Sequence, residues 1–362
     1  MANPNDKNEP PKYDAILLTS FGGPEGPADV MPFLENVLRG KNVPHQRMLE
    51  VAEHYYRFGG KSPINDQNRR LIAALERELA EHGPKLPVYW GNRNWHPMLA
   101  DTLLHMKKEG VRRALAFVTS AYSSFSSCRQ YREDIAKARE AVGSDAPVVD
   151  KIRAFHNHPG FVEAMVDRVR AALATLPEEV RDAAQLIYTA HSIPSAMARS
   201  CDYEVQLRET GRLVAEQLGR ADWQLVYQSR SGPPSQPWLE PDILDYLRQL
   251  TVRENKSAIV IAPIGFVSDH MEILFDLDTQ ARQLCDELGL LMVRAQTVGT
   301  HPRFIRMIRE LIDERMDDAQ PRLALGSLPP RPDFCPADCC SLPSRAASTK
   351  LGAYVTRSIS QT

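Results

Sequence analysis

Residues 257–278, SAIVIAPIGFVSDHMEILFDLD, contain the transition that decides the fold. Residues 257–263 form a short apolar run rich in β-branched side chains, which is typical of a strand buried on both faces of a parallel sheet. Pro263 and Gly265 end this run, and a helical pattern begins at His270. The sequence therefore predicts a strand, a loop and the start of a helix, which is the unit from which α/β folds are built.

Three acidic residues follow this strand at helical spacing. Asp269, Glu272 and Asp276 are three and four residues apart, so we expect their carboxylates on one face of the helix, with His270 beside them. In open α/β sheets, ligands bind outside the carboxyl ends of the strands, so this group indicates metal binding or proton transfer. A solvated helix N-terminus, where the macrodipole favours acidic residues, is the alternative that the spacing leaves open.

Length and composition narrow the class of protein. A chain of 362 residues, 43% hydrophobic and 25% charged, is globular and long enough for two domains. The net charge of −2 gives no electrostatic basis for binding nucleic acid. Residues 1–12 lack the apolar segment of a secretory signal, and no apolar run has membrane-spanning length. We expect a cytoplasmic protein without a transmembrane segment, with peripheral contact to a membrane surface left open.

The alternation of apolar runs and helical patterns predicts an α/β protein. Eight runs read as strands, at residues 13–20, 86–91, 113–119, 148–150, 185–189, 223–228, 257–263 and 290–294. Strands that alternate with helices form parallel sheets covered on both faces. We predict two Rossmann-like, doubly wound domains whose sheets face a central cleft. The expected bounds are 12–158 for the first domain, 159–318 for the second and 319–362 for a cysteine-containing tail.

His191 follows the fifth predicted strand, in the segment AHSIP. A lone histidine after an apolar strand is more often a hydrogen-bonded structural residue than a ligand or a base. His191, however, lies at the same strand-end edge of the second half as Glu272. The two side chains can then face each other at the cleft, a pairing that binds a divalent metal or relays protons.

A second strand-end loop has the composition of a ligand-binding surface. Residues 120–132, SAYSSFSSCRQYR, combine hydroxyls, aromatic rings and arginines. Rings stack on flat ligands and guanidinium groups pair with carboxylates, so the loop suits a flat aromatic ligand that bears carboxylates. A serine-rich loop leading into a helix with exposed arginines is the alternative.

Four segments together resemble the ferrochelatases, lyases that insert Fe²⁺ into a porphyrin in haem biosynthesis. They are LLTSFGGPEGP (17–27), YTAHSIP (188–194), YQSRSGPPSQPWLEPD (227–242) and PIGFVSDHMEILFDLD (263–278). The resemblance extends over residues 13–311 and implies a chelatase-like fold with the porphyrin in the cleft. It also implies that His191 and Glu272 are catalytic and bind the Fe²⁺ substrate, His191 acting as iron ligand or as acceptor of pyrrole protons. Asp276 would extend a track for iron or protons.

The resemblance also bears on the porphyrin. Phe21 stands where some bacterial relatives have a tyrosine that can touch the metal, and Gln280 interrupts an acidic row, which puts an auxiliary metal site in doubt. The hydrophobic lip of the animal enzymes is missing, and SFGGPEGP and SSCRQYRED resemble actinobacterial coproporphyrin ferrochelatases. We therefore favour coproporphyrin III over protoporphyrin IX as the substrate. The expected porphyrin contacts are Phe21, Arg39, Ser62, Tyr122, Ser124, Arg129, Tyr131 and Trp238, and Lys41 is a further basic residue near them.

Three cysteines crowd into CPADCC at residues 335–340. Certain ferrochelatases hold a [2Fe–2S] cluster with three carboxy-terminal cysteines and one from the body of the chain. The resemblance implies Cys128, Cys335, Cys339 and Cys340 as ligands here, and zinc is the competing occupant of such thiolates. Cys201 and Cys285 lie in helical patterns and are expected to be ordinary packing or surface residues.

Two other functions remain open from sequence. A cobalt or sirohydrochlorin chelatase also has two α/β halves, and a pair of site histidines in place of His191 with Glu272 would favour it. A tetrapyrrole carrier would bind haem without making it, and its binding would survive replacement of Glu272.

Overall fold

The protein consists of two four-stranded parallel sheets covered by helices. The computed structural model describes residues 12–40, 43–233, 235–253 and 256–342, and Lys41 lies outside them. The strands are β1 (Ala15–Ser20), β2 (Val88–Asn92), β3 (Arg113–Val118), β4 (Val148–Lys151), β5 (Gln185–His191), β6 (Trp223–Gln228), β7 (Ala258–Ala262) and β8 (Leu291–Arg294). Their orders are β2-β1-β3-β4 and β6-β5-β7-β8. The predicted α/β class is therefore confirmed.

Helices connect the strands and cover both faces of each sheet. They are α1 (Val30–Leu38), α2 (His45–Arg57), α3 (Ile64–His82), α4 (Leu99–Lys108), α5 (Gln130–Val142), α6 (Pro159–Ala174), α7 (Glu178–Arg181), α8 (Ser195–Ala198), α9 (Tyr203–Gln217), α10 (Ile243–Arg253), α11 (Arg282–Leu288) and α12 (Pro302–Met316). Two further segments are π-helical, Phe125–Arg129 before α5 and Ile273–Ala281 before α11. In the part of the chain that the structure describes, no helix is long and apolar enough to span a membrane.

The central strands are buried as their apolar runs predict. Every residue of β1 and of β7 is buried, because helices pack on both faces of each sheet. β5 lies between β6 and β7, so the carboxyl ends of these three strands meet at one edge of the second sheet. Residues that follow these strands are thereby brought together.

The two halves are joined by crossed helices. α6 follows the first sheet but packs on α9 and β7 of the second half, whereas α12 returns to α3 of the first half. Phe161 of α6 and Phe304 of α12 have ring centroids 6.2 Å apart within a shared aromatic core. A fully buried ion pair, Arg153–Glu314 at 2.8 Å, also links the halves. The domain boundary at residue 158 stays a prediction, since elements cross between the halves.

Residues 317–342, which we call the tail, run back over both halves. Arg331 pairs with Asp202 at 2.7 Å, and the main-chain N–H of Leu325 donates to the carbonyl of Asn157 at 2.8 Å. These contacts place the cysteine-containing end of the tail beside the loop that precedes α9. Residues 343–362 lie outside the described part of the chain.

Candidate active site

His191 is the last residue of β5, and hydrogen bonds hold both its main chain and its imidazole. Its main chain pairs with Gln228 of β6, and the hydroxyl of Tyr203 donates to its carbonyl at 3.0 Å. The imidazole Nδ1 is hydrogen-bonded to the carbonyl of Ser192. Because a carbonyl accepts, Nδ1 carries a proton, and the Nε2 atom is the one directed at Glu272.

Glu272 lies between two histidines. Its Oε1 is 3.6 Å from His191 Nε2, and its Oε2 is 3.8 Å from His270 Nε2. The predicted meeting of His191 and Glu272 is therefore present in the structure, although the roles of the two residues stay predictions. The sequence pattern groups His270 with these acidic residues as indicating metal binding or proton transfer, and its place beside Glu272 makes it part of the same group.

Charge and burial set the protonation states of the pair. Burial alone would lower the pKa of His191, but the carboxylate of Glu272 and the hydrogen bonds to Glu272 and Ser192 raise it to about 9. Burial alone would raise the pKa of Glu272, but the charges of His191 and His270 lower it to about 2. Burial lowers the pKa of His270 more than the Glu272 carboxylate raises it. At neutral pH the group holds one imidazolium, one carboxylate and one neutral imidazole.

The helix that carries Glu272 differs from the α-helix predicted at His270. It begins at Met271 and becomes π-helical over Ile273–Ala281, and the hydroxyl of Thr279 donates to the Leu274 carbonyl, five residues earlier, at 2.9 Å. The i to i+5 bonds of a π-helix widen the turn and are frequent at functional sites. Hydrophobic spacing does not distinguish such a segment from an α-helix.

Asp276 lies next to Glu272 on the π-helix. Gln228 Nε2 donates to the Asp276 carboxylate and to the Glu272 carbonyl, each at 3.2 Å, and the Ser229 hydroxyl also donates to Asp276. Burial raises the pKa of Asp276 to about 6, although the bond from Ser229 opposes this. A carboxyl group with such a pKa takes up and releases protons near neutral pH.

The prediction that Asp269 shares this acidic face is wrong. Asp269 precedes the helix, and its carboxylate pairs with Arg294 at 2.9 Å instead of facing His191. Its main-chain N–H donates to the side chain of Gln67, at 2.8 Å. The spacing argument failed here because the helix begins two residues later than Asp269.

Three predicted porphyrin contacts bond within the protein. Tyr122 is fully buried, and its hydroxyl donates to the Ile264 carbonyl at 2.9 Å. Ser124 is buried and accepts from the Ser127 N–H at 3.1 Å, which caps the first π-helical segment. Tyr131 is buried beneath the guanidinium of Arg93, 4.6 Å from its ring centroid. The structure thus gives these residues packing and capping roles, and their part in porphyrin binding stays a prediction.

Arg129 is also occupied by protein partners. It pairs with Glu133 at 2.8 Å and donates to the carbonyls of Ala337 and Cys339 at 2.6 and 3.0 Å. This arginine therefore holds the tail, a contact that sequence alone did not predict because the partners are main-chain atoms 208 and 210 residues away.

The other predicted porphyrin contacts are distributed around the two halves. Phe21 follows β1, is 37% exposed, and its ring lies edge-on to Phe33. Arg39 is exposed at the end of α1, whereas Ser62 is buried against the Gly22-Gly23 loop. Trp238 pairs by a main-chain bridge with Pro194, three residues after His191. Phe21, Arg39 and Trp238 thus keep exposed surface, whereas Ser62 does not.

α2 covers the π-helix from the first half of the chain. His54 stacks on Phe275 with ring centroids 3.7 Å apart and planes 16° from parallel. Tyr55 has its pKa raised by burial and further by the charge of Glu272, which places its hydroxyl on the side of the site. This contact could not be predicted from sequence, because α2 has the pattern of an ordinary amphipathic helix.

The four predicted cluster cysteines gather where the tail meets the first π-helical segment. The sulfur atoms of Cys339 and Cys340 are 3.6 Å apart. Burial and the neighbouring thiols of Cys339 and Cys128 raise the pKa of Cys335. Cys201, expected to be an ordinary packing or surface residue, also lies near, since it adds to the raised pKa of Cys340. Within the described residues, however, no three His, Cys, Asp or Glu side chains are placed to hold one metal ion.

Comparisons with known proteins agree with this architecture. The ferrochelatase family model matches residues 13–316. A ferrochelatase of Rhodopirellula baltica is 59% identical over 333 residues, which cover 92% of this chain and 95% of the relative. A coproporphyrin III ferrochelatase of Streptomyces griseus is 52% identical over 364 residues, which cover 94% and 96%.

A solved structure shares the fold at much lower identity. SirB from Bacillus subtilis with Fe³⁺ superposes with a TM-score of 0.54 at 10% identity, over 86% of this chain and 98% of that one. At this identity the likeness concerns the fold alone, and it matches the two-sheet α/β architecture. The match of the family model over most of the chain, together with relatives of more than 50% identity, shows that the chain belongs to the ferrochelatase family.

Proposed function

We propose that this member of the ferrochelatase family inserts Fe²⁺ into coproporphyrin III, with His191 and Glu272 at the reacting centre. The observation that supports this most is the 3.6 Å approach of His191 Nε2 to Glu272 Oε1 at the open end of the second sheet. An imidazole and a carboxylate are suitable transient ligands for Fe²⁺ and suitable carriers of protons.

The reaction replaces two pyrrole protons of the porphyrin by one Fe²⁺. With a pKa of about 9, His191 is an imidazolium at neutral pH and is balanced by Glu272. An approaching dication favours the neutral imidazole, so His191 gives up its proton as Fe²⁺ reaches the pair. Asp276, with a pKa of about 6, accepts this proton and releases it to solvent. The neutral His191 then accepts the two pyrrole protons in turn and passes them along the same route, so that both protons leave as Fe²⁺ enters the ring. Gln228 holds Asp276 in place, since its amide donates to the Asp276 carboxylate and to the Glu272 main-chain carbonyl.

Coproporphyrin III is favoured because it carries four carboxylates. Relatives of about 50% identity are named coproporphyrin III ferrochelatases. Arg39 is exposed, and its guanidinium is hydrogen-bonded to the neutral amide of Asn36, so its charge remains for a substrate carboxylate. We propose that Phe21, Arg39 and Trp238 contact the porphyrin.

A cobalt or sirohydrochlorin chelatase is the second candidate. The observation in its favour is the second histidine, His270, which lies 3.8 Å from Glu272. Membership of the ferrochelatase family favours Fe²⁺ and a porphyrin as the substrates. Offering Co²⁺ with sirohydrochlorin to the protein separates the two functions, since we expect no conversion.

The test of the main proposal follows metal insertion by absorption. The protein is mixed with coproporphyrin III and Fe²⁺ without oxygen, and conversion of the porphyrin bands is recorded. His191→Ala should abolish conversion while porphyrin still binds. His105→Ala is the matched control, because His105 forms an exposed pair with Glu109 at 3.4 Å on α4. An undiminished rate in His191→Ala would refute the assignment, and haem binding without turnover would favour a carrier.

We also propose that Cys128, Cys335, Cys339 and Cys340 hold a [2Fe–2S] cluster. Thiolates are the donors that such a cluster takes. The proposal is supported by the gathered thiols and by Arg129 and its neighbour Arg132, which donate to carbonyls of residues 335–339 and hold the tail near Cys128. When bound, the cluster would supply one-electron chemistry that iron insertion does not require.

Absorption and metal analysis of anaerobically purified protein test the cluster. We expect iron–sulfur bands that disappear in Cys339→Ser and persist in Cys285→Ala, since Cys285 is buried in the second half. A colourless protein containing zinc would contradict the proposal. We further propose a cytoplasmic location, which is favoured because none of the six cysteines is paired in a disulfide and that compartment keeps cysteines reduced. Cell fractionation tests it.

A further inference from the structure

Gln67, in the first turn of α3, reaches across from the first half of the chain to the loop that carries His270 and Glu272. Its side-chain oxygen accepts from the main-chain N–H of Asp269 at 2.8 Å, and its side-chain nitrogen donates to the carbonyl of the same residue. The main-chain N–H and the main-chain carbonyl of Asp269 are therefore both hydrogen-bonded to the side-chain amide of Gln67. His270 follows directly and Glu272 two residues later.

Asp269 is also held by a residue of the second half of the chain, to which Asp269 itself belongs. The Asp269 carboxylate pairs with Arg294 at 2.9 Å, and Arg294 also donates to Asp278 of the π-helix at 2.8 Å. The loop between β7 and the helix thus has two anchors. Arg294 belongs to the second half, as Asp269 does, whereas Gln67 belongs to the first half and supplies an anchor that crosses between the halves.

The start of α3, from which Gln67 projects, is held in place by buried hydrogen bonds. Asn65, two residues earlier, is fully buried and donates to the Gly23 carbonyl at 3.1 Å. Asn92, at the end of β2, is also fully buried and donates to Asn65 at 3.3 Å. The start of α3 is therefore tied to the strand ends of the first sheet, and a movement of that sheet is transmitted to Gln67.

A second contact between the halves lies on the other side of Glu272. His54 of α2 stacks on Phe275, three residues after Glu272. The first half therefore contacts the segment before the carboxylate through Gln67 and the segment after it through His54.

We propose that Gln67 is a positioning residue: from the first half of the chain it holds the backbone at Asp269, and with it His270 and Glu272, in place at the reacting centre. The inference rests on the proposed iron insertion, because the rate of that reaction depends on the positions of His270 and Glu272. A small displacement of a reacting group lowers the rate of the chemical step far more than it lowers substrate affinity. Loss of the Gln67 contacts should therefore reduce kcat and leave KM nearly unchanged.

The test compares two substitutions at Gln67 in the full-length protein. Gln67→Met keeps the length of the side chain and loses both hydrogen bonds, so we expect kcat for iron insertion to fall about tenfold. The KM for coproporphyrin III should stay within about twofold. Gln67→Glu keeps an acceptor for the Asp269 N–H and loses the donor, so its kcat should be intermediate. Gln283→Met, which loses one hydrogen bond to Glu287 on α11, should match the wild type.

Amide hydrogen exchange supplies a readout that does not depend on turnover. In Gln67→Met, exchange at Asp269 and His270 should be faster than in the wild type, while exchange within β7 should be unchanged. A wild-type kcat in Gln67→Met, or a fall in kcat with an equal rise in KM, would overturn the inference. If the wild type itself inserts no iron, the proposed function fails; if the wild type is active and His191→Ala inactive while Gln67→Met is normal, only the role of Gln67 fails.

Discussion

The charge on His191 depends on Glu272, and the substitution Glu272→Gln measures that dependence. The amide has the shape of the carboxylate but no charge, so the change removes the electrostatic partner while keeping the packing. Burial lowers the pKa of His191, and the Glu272 carboxylate outweighs burial and raises it to about 9. Without the carboxylate, we expect the pKa of His191 to return to its ordinary value of 6.5 or below.

The effect on stability follows from the same pair and has a defined pH window. Because the folded-state pKa of His191, about 9, exceeds its unfolded value of 6.5, its contribution is fully present below pH 6.5 and is lost as pH rises through 9. The pKa of Glu272, about 2, lies below its unfolded value of 4.5, so its contribution is present above pH 4.5 and is lost as pH falls through 2. The free energy of unfolding of the wild type should thus exceed that of Glu272→Gln by the largest amount between pH 4.5 and 6.5.

The magnitude is limited by exposure to solvent. The side chains of His191 and Glu272 are 34% and 44% exposed, so water screens their attraction. We expect the free energy of unfolding to differ by about 1 kcal/mol at pH 6, and by less at pH 9.

Two measurements check this prediction. Nuclear magnetic resonance of histidine-labelled protein gives the pKa of His191 directly, and urea unfolding at pH 6 and pH 9 gives the free energies. Glu109→Gln beside the exposed His105 is the control, and its effect on unfolding should be smaller. The reasoning is refuted if His191 still titrates near 9 in Glu272→Gln.

Three further predictions concern other parts of the structure. Glu314→Ala leaves the buried guanidinium of Arg153 without its partner, so urea unfolding should show a loss of about 3–5 kcal/mol; a loss below 1 kcal/mol would contradict this. Gly265→Ala puts a Cβ 2.6 Å from the Cα and Cβ of Ala190, next to His191, so the free energy of unfolding should fall by about 1–3 kcal/mol and the insertion rate should fall with it. Asp276→Asn removes a carboxyl group of pKa about 6, so the rise in wild-type insertion rate through pH 6 should be missing from the pH profile of the variant; an unchanged profile would exclude Asp276 as a proton acceptor.

The strands of this fold could be predicted closely from sequence. β6 was predicted to the residue, and β7 within one residue at each end, because buried parallel strands are short β-branched runs bounded by polar residues. α10 was not predicted, since it follows a proline-rich loop that dominates the local pattern. The crossing of α6 and α12 could not be predicted either, because it depends on packing between distant segments.

The site was predictable only in part for a similar reason. His191 and Glu272 follow strands that the pattern identifies, and parallel pairing brings strand ends to one edge. Gln67, His54 and Arg129 approach from elsewhere in the chain and act on main-chain atoms or ring faces, which leave no periodic signal. The spacing rule requires Asp269 to lie on the helix. The helix begins two residues later, at Met271, so the assignment of Asp269 to the acidic face is wrong.

A double-mutant cycle of His191→Ala and Glu272→Gln tests the central claim most directly. Anaerobic insertion of Fe²⁺ into coproporphyrin III is followed in a single turnover at high protein concentration, which records residual rates too low to appear as conversion in steady-state turnover. If the imidazole and the carboxylate act as one unit, the double variant should lose no more rate than the more damaged single variant. Losses that multiply in the double variant, or a wild-type rate in either single variant, would show that the two side chains act independently and would contradict the account.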